Sequence, residues 1–128
     1  MTSSELVWVD LALVFIIHER SLAHHGGAEG IRDSGALESA LALPQNLSLY
    51  ESPSLSELAA NYLFGIVKNH AFVDGNKRTA WVTARTFLAL NGVSLQFDAL
   101  EAITFVESVA AGAVDRAEAT IWFEERIA

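Results

Sequence analysis

Ser54 with Glu57, Asp98 with Glu101 and Asp115 with Glu118 each place a residue able to cap a helix three positions before a glutamate, at the head of a run that reads as helix. This spacing lets the cap oxygen take the N–H of the third helical residue while the glutamate reaches back to the cap's own N–H. It therefore fixes where helices begin, which limits the fold more than any total does. Behind Ser54, residues Leu55, Leu58, Ala59, Tyr62, Leu63, Ile66 and Val67 recur at helical spacing. They make an apolar face wide enough for the centre of a domain.

The remaining pattern is helical too. Trp8, Leu11, Ala12, Phe15 and Ile16 share one face and predict a first helix over 8–23, which the glycine-rich stretch 24–30 breaks. Gly35 with Glu38 opens a short second helix that Pro44 closes. Residues 44–53 read as loop, and the alternation of Asn46–Tyr50 suits a short extended flap. A fourth helix runs from Gly75–Asn76 to Leu90, where Asn91-Gly92 stops it. Residues 93–97 form an extended connector. A fifth helix ends near Gly112, and a sixth runs to the C-terminus. The expected architecture is all-α: one compact six-helix domain over residues 1–128.

Apolar residues make up 52% of the chain and cysteine is absent, which excludes disulfides and thiolate chemistry. No apolar run reaches the ~20 residues needed to span a bilayer, since Asp10 breaks Val7–Ile17. Met1–Glu5 lacks the basic start of a signal peptide. These features predict a soluble, cytoplasmic domain with no membrane partner. The net charge is −8, which repels nucleic acid. Yet residues 68–85 hold Lys68, Lys77, Arg78 and Arg85 against Asp74 alone, a net of +3 inside an acidic protein. A small positive site of this kind suits a compact anion such as a nucleotide phosphate.

The segment His70-Ala71-Phe72-Val73-Asp74-Gly75-Asn76-Lys77-Arg78 lies at the centre of that reversal. Lys77 and Arg78 fall in the first turn of the fourth helix, where the dipole disfavours cations by a few tenths of a kcal/mol each, about 0.3 at the low end. An anionic ligand reverses that sign, because the free N–H groups of the helix start point at it. Gly75 permits close approach, and Asn76 can cap the helix or bond a phosphate oxygen. Asp74 is a carboxylate of the kind that bridges Mg²⁺ to nucleotide phosphates. His70 can take a proton from an attacking hydroxyl. Phe72 points inward and pins the loop. Each residue also has a plainer role: His70 and Asp74 as helix caps, Lys77 and Arg78 as solvated charges. Arg85, two turns beyond Arg78, shares its face and could pair with an acid instead of a ligand. A metal cluster of His18, His24, His25 and His70, serving a hydrolase, is a further alternative.

These residues resemble the signature loop of the Fic superfamily, H-P-F-x-[DE]-G-N-G-R-x-x-R. Ala71 stands in place of the proline, Lys77 in place of the second glycine, and Trp81 in place of the last arginine. The lysine form is that of the Doc, or death-on-curing, branch. The likeness extends to 30–41 and to 87–93.

The resemblance implies a toxin of a bacterial toxin–antitoxin pair. It would transfer the γ-phosphate of ATP to a threonine hydroxyl of a translation factor, elongation factor Tu, and arrest translation. His70 would be the base and Asp74 the Mg²⁺ ligand, with Gly75, Asn76, Lys77 and Arg78 around the phosphates. The inhibitory pattern [ST]-x-x-x-E-[GN] is missing, since His25 stands four before Glu29-Gly30. An antitoxin supplied in trans is therefore implied, its C-terminal segment folding onto the toxin. Transfer of AMP, as in most Fic proteins, and an inactive antitoxin-binding module are the alternatives. Tyr50 and the 44–53 loop would either guide the target, as flaps do in Fic relatives, or form a plain surface turn.

Overall fold

A computed structural model describes residues 5–128, so the reading of the N-terminal start falls mostly outside the described residues. The chain forms six helices: α1 (Leu11–His25), α2 (Ser34–Tyr50), α3 (Leu55–Asn69), α4 (Asn76–Leu90), α5 (Ala99–Ala110) and α6 (Arg116–Glu124). Among the described residues there is no sheet, only two isolated antiparallel bridges, Ile31 with Phe72 and Leu95 with Ile127. The all-α reading holds. None of the described helices is long and apolar enough to cross a membrane.

The capping signals act as their spacing predicts. Ser54 accepts from the Glu57 N–H at 3.1 Å, and Glu57 accepts from the Ser54 N–H at 3.4 Å. Asp115 and Glu118 form the same reciprocal box at 2.8 and 3.1 Å. Asp98 caps α5 through the Glu101 N–H at 2.9 Å, but the Glu101 carboxylate turns to Arg126 instead of returning. Each such cap stabilises its helix by ~1 kcal/mol.

α3 is the axis of the fold. Every residue from Leu58 to Val67 is buried, so the helix is covered all round by α2, α4, α5 and α6. The tyrosine hydroxyl in this core does not lack a partner. Tyr62 Oη accepts from the Val9 N–H at 3.0 Å, and burial pushes its pKa up to about 12.

Four expectations need correction. α1 begins at Leu11, capped by Asp10, and not at residue 8. Its buried face is Val14, Ile17, His18 and Ser21, while Ala12 and Ile16 are exposed. Two polar residues lie on the inner face, so apolar spacing alone pointed the helix the wrong way. α2 begins at Ser34 with Asp33 as its cap, accepting from the Ala36 N–H at 3.0 Å, and not at Gly35. Most consequentially, Pro44 does not close α2. The helix continues to Tyr50, so the expected loop over 44–53 starts only at Glu51 and the extended flap over 46–50 is helical.

Proline removes the N–H that would bond the Ala40 carbonyl. At that turn α2 presses on Gly65 of α3, where an added Cβ would lie 3.1 Å from Ala40 Cβ and 3.3 Å from its carbonyl oxygen. Pro44 itself is buried. Tertiary packing thus offsets the lost bond. The connector 93–97 is extended as expected, and it pairs with the C-terminal residues beyond α6: the Gln96 N–H donates to Arg126 O at 2.7 Å.

Candidate active site

The motif connects the end of α3 to the start of α4. His70 ends α3 in the left-handed conformation, with φ 46° and ψ 47°. It is the one non-glycine residue with positive φ among the described residues. Such a conformation costs energy and persists where the surroundings impose it, often at functional sites. Here it turns the chain out of α3 so that His70 stands exposed on the rim of a cleft of about 800 Å³. Asp74, Gly75, Asn76, Lys77 and Arg78 line the same cleft, as does Arg85.

The loop between these helices is held from beneath. Phe72 is fully buried, as expected, and its ring lies flat against His18 of α1, with centroids 3.8 Å apart and planes 10° apart. The His18 Nε2 is 2.8 Å from the Asp74 carbonyl oxygen. A carbonyl only accepts, so this nitrogen carries the proton. The strip before α2 clamps the other edge: the Arg32 and Asp33 N–H groups donate to Ala71 O at 2.7 and 3.0 Å, and the Val73 N–H donates to Gly30 O at 3.1 Å. Asn76 closes the loop on itself. Its Oδ1 accepts from the Phe72 N–H at 3.0 Å and its Nδ2 donates to the Phe72 carbonyl at 2.9 Å. The carboxamide expected at the phosphates or as a helix cap is therefore committed to the backbone four residues earlier.

That leaves the start of α4 open. Asp10, Asp33, Ser54, Asp98 and Asp115 cap the other five helices through their side chains, but α4 begins at Gly75 with no side-chain cap. Gly75 adopts φ 79°, a left-handed value that a side chain would strain, and a Cβ there would meet the His18 ring at 3.6 Å. The amides after Gly75 and the dipole of the helix start then lie at the cleft, which Asn76, Lys77 and Arg78 line.

Asp74 is exposed. Its Oδ2 accepts from the Ala28 N–H at 3.2 Å and its Oδ1 from the Gly75 N–H at 2.8 Å. The Ala28 amide first, then the Gly75 amide, hold this carboxyl below the ordinary carboxylate range; the His18 and Arg78 charges act in the same direction, and partial desolvation opposes them. The group is thus ionised at neutral pH. Each oxygen accepts only one protein bond and keeps a lone pair, which suits a hard cation shared with phosphate oxygens.

The two motif cations differ. Lys77 Nζ pairs with both oxygens of Glu107 on α5, at 2.9 and 3.1 Å. Arg78 makes no direct hydrogen bond or ion pair among the described residues. Arg85 pairs with no acid either: its guanidinium lies over the rings of Phe97, at 4.9 Å, and Trp81, at 5.7 Å. The histidine metal cluster is not assembled. His18 is buried beneath the loop, and no group of three His, Cys, Asp or Glu among the described residues could hold a metal. Sequence reasoning named His18 only as a metal ligand and did not place Glu107 or the Ala28 amide. Their contacts span 56, 30 and 46 residues, and nothing in local spacing signals them.

The chain is similar in sequence to known proteins. "Toxin Doc" of Mycolicibacterium smegmatis is 48% identical over 77 residues, covering 57% of this chain and 58% of that protein, so the match spans little more than half of that relative's length. "Protein kinase doc" of Escherichia phage P1 is 34% identical over 99 residues, 77% of this chain and 78% of that protein. A model of the Fic/DOC family matches residues 8–88, a span that holds α1, the motif loop and most of α4. On that match and on the motif it contains, the chain belongs to the Fic/DOC family.

Proposed function

We propose that this chain is the toxin of a toxin–antitoxin pair and transfers the γ-phosphate of ATP to a protein hydroxyl. The observation that carries the reading is the uncapped start of α4, which opens beside Asp74 and Arg78 into the cleft that His70 borders. The names of the two relatives, a toxin and a protein kinase, support the same reading. The resemblance extends it to a threonine of elongation factor Tu in the cytoplasm, with an antitoxin supplied in trans and the chain acting as one domain.

In this reading the γ-phosphate lies beside Gly75 at the amides of Asn76 onward, with Arg78 and a released Lys77 balancing its charge. Phosphoryl transfer depends mostly on positioning and charge neutralisation, so a small rigid site is sufficient. The acceptor hydroxyl gives its proton to His70 as its oxygen bonds to the γ-phosphorus. The bond from that phosphorus to the bridging oxygen breaks, and ADP leaves with the electron pair. Asp74 is the residue that would hold Mg²⁺, which supplies further charge neutralisation when bound. Lys77 occupies the place of a family glycine, and its side chain narrows the space around the phosphates, which favours phosphate over AMP transfer.

The test is incubation of the full chain and acceptor with ATP labelled at the α or the γ position. Label should pass from the γ position only, and His70→Ala and Asp74→Ala should abolish it. Label from the α position alone would show AMP transfer instead. Growth arrest that survives both substitutions would indicate a binding module without catalysis.

A further inference from the structure

A short strap, residues 26–33, joins α1 to α2 along the outside of the motif loop. It runs antiparallel to that loop, with Ile31 bridged to Phe72. The Val73 N–H donates to Gly30 O, and the Arg32 and Asp33 N–H groups donate to Ala71 O. Continued in that register, Ala28 comes beside Asp74 and Gly75. The Asp74 carbonyl is already bonded to His18 Nε2, so the Ala28 N–H finds the Asp74 carboxylate instead and donates to Oδ2 at 3.2 Å. The ladder thus ends on a side chain, and on the one that the reading above assigns to Mg²⁺.

Three glycines of the strap have positive φ: Gly26 at 76°, Gly27 at 122° and Gly30 at 122°. They differ in what a side chain would touch. An added Cβ meets nothing within 4 Å at Gly26, and at Gly30 it meets Val73. At Gly27 it would lie 2.8 Å from Asp74 Oδ2 and 2.9 Å from Leu22 Cδ2, inside van der Waals contact. Both atoms are free ends of side chains, so they would yield before any backbone did. A side chain at this position would leave the fold in place and push the carboxylate off its two amides.

We propose that Gly27 is the positioning residue for Asp74. Its bare backbone lets the strap close on the carboxylate, and the Ala28 and Gly75 amides then hold both oxygens in the orientation that takes a divalent cation. The inference rests on the reading of Asp74 as the Mg²⁺ ligand and adds what sets that ligand's orientation. Asp74 is exposed and forms no ion pair among the described residues, so these two amides are what restrict its rotamers. Outer partners that orient a metal ligand are commonly worth about tenfold to a hundredfold in metal affinity.

The test is calorimetry of the full chain with a non-hydrolysable ATP analogue, with and without Mg²⁺. The ratio of the two affinities reads the gain that the metal brings. The metal also binds the analogue in solution, and that contribution is common to all variants. Wild type is compared with Gly27→Ala, Gly26→Ala and Asp74→Asn, with circular dichroism to confirm folding. Gly26→Ala shares the positive-φ strain but touches nothing, so it separates strain from contact.

Wild type should show the gain and Asp74→Asn should lose it. Gly27→Ala should cut the gain about tenfold or more with metal-free affinity unchanged, and Gly26→Ala should keep it. A full gain in Gly27→Ala beside a lost one in Asp74→Asn overturns the positioning role alone, as does an equal loss in Gly26→Ala. No gain in wild type, or a full gain in Asp74→Asn, overturns the metal reading and the positioning role together. Should Gly27→Ala not fold, nuclear magnetic resonance of wild type carries the test. Adding Mg²⁺ to the bound analogue should move the Ala28 amide proton, whose acceptor belongs to the metal ligand, and a resonance that stays in place overturns the positioning role.

Discussion

The imidazole of His18 lies flat on the ring of Phe72 and donates to the carbonyl of Asp74 at 2.8 Å, so one buried side chain of α1 supports two residues of the motif. The two contacts can be separated. His18→Phe keeps a flat ring against Phe72 but leaves the Asp74 carbonyl without its donor, a loss of about 1–3 kcal/mol. Thermal unfolding should show that loss. Steady-state kinetics should show a larger fall in kcat than a rise in the KM for ATP, because Asp74 shifts while the open helix start does not. An unchanged kcat in a stably folded variant would limit His18 to packing.

Asn76 bonds both backbone groups of Phe72, which makes it a structural brace. Asn76→Ala should lower folding stability by about 1–3 kcal/mol in the absence of nucleotide. Asn76→Asp, which keeps an acceptor for the Phe72 N–H and loses the donor, should fall between the two. Denaturant titration of the apoprotein reads this directly. A side chain that touched only phosphate would leave apo stability unchanged.

The Lys77–Glu107 pair is half exposed on both sides, so its two charges gain at most about 1 kcal/mol from each other. In the proposed reading, nucleotide phosphate competes with Glu107 for the lysine. Glu107→Gln should therefore tighten ATP binding by a few-fold, up to about fivefold for a pair of that strength. The gain should shrink with added salt, as exposed charges are screened. Weaker binding in this variant would mean that Glu107 orients Lys77 for the phosphates instead of competing with them.

Alkaline pH acts on Tyr62. Its pKa rises from 10.0 to about 12 in the folded chain because burial disfavours the phenolate. The neutral form is favoured by folding, so this stabilisation is complete below pH 10 and is lost as pH climbs through 12. The integrated loss is about 2–3 kcal/mol, because each tenfold change in an ionisation constant is worth about 1.4 kcal/mol. Tyr62→Phe removes the bond to Val9 and should flatten the decline between those pH values, as equilibrium unfolding at a series of pH values would show.

Local chemistry was legible in the sequence and distant pairing was not. Ser54 with Glu57 and Asp115 with Glu118 announced the starts of α3 and α6, because each box is complete within four residues. The span of α4 and the inward position of Phe72 were readable for the same reason. Pro44 misled, because the packing that lets α2 pass it lies on α3, at Gly65. The inner face of α1 was hidden because His18 and Ser21 are polar, and only the folded loop shows what His18 bonds. Lys77 was seen as a free cation, since its partner Glu107 lies 30 residues on, across the cleft.

If nucleotide binds at the bare start of α4 as proposed, the protein's heat resistance depends on what it has bound. Five helices are completed by the chain's own side chains; in the proposed reading the start of α4 is completed by a nucleotide phosphate. A ligand that binds only the folded form adds RT ln(1 + [L]/Kd), about 2.7 kcal/mol at a hundredfold excess over Kd. The melting temperature of the purified chain is then a gauge of nucleotide occupancy, and depletion of nucleotide leaves its motif helix the least secured of the six.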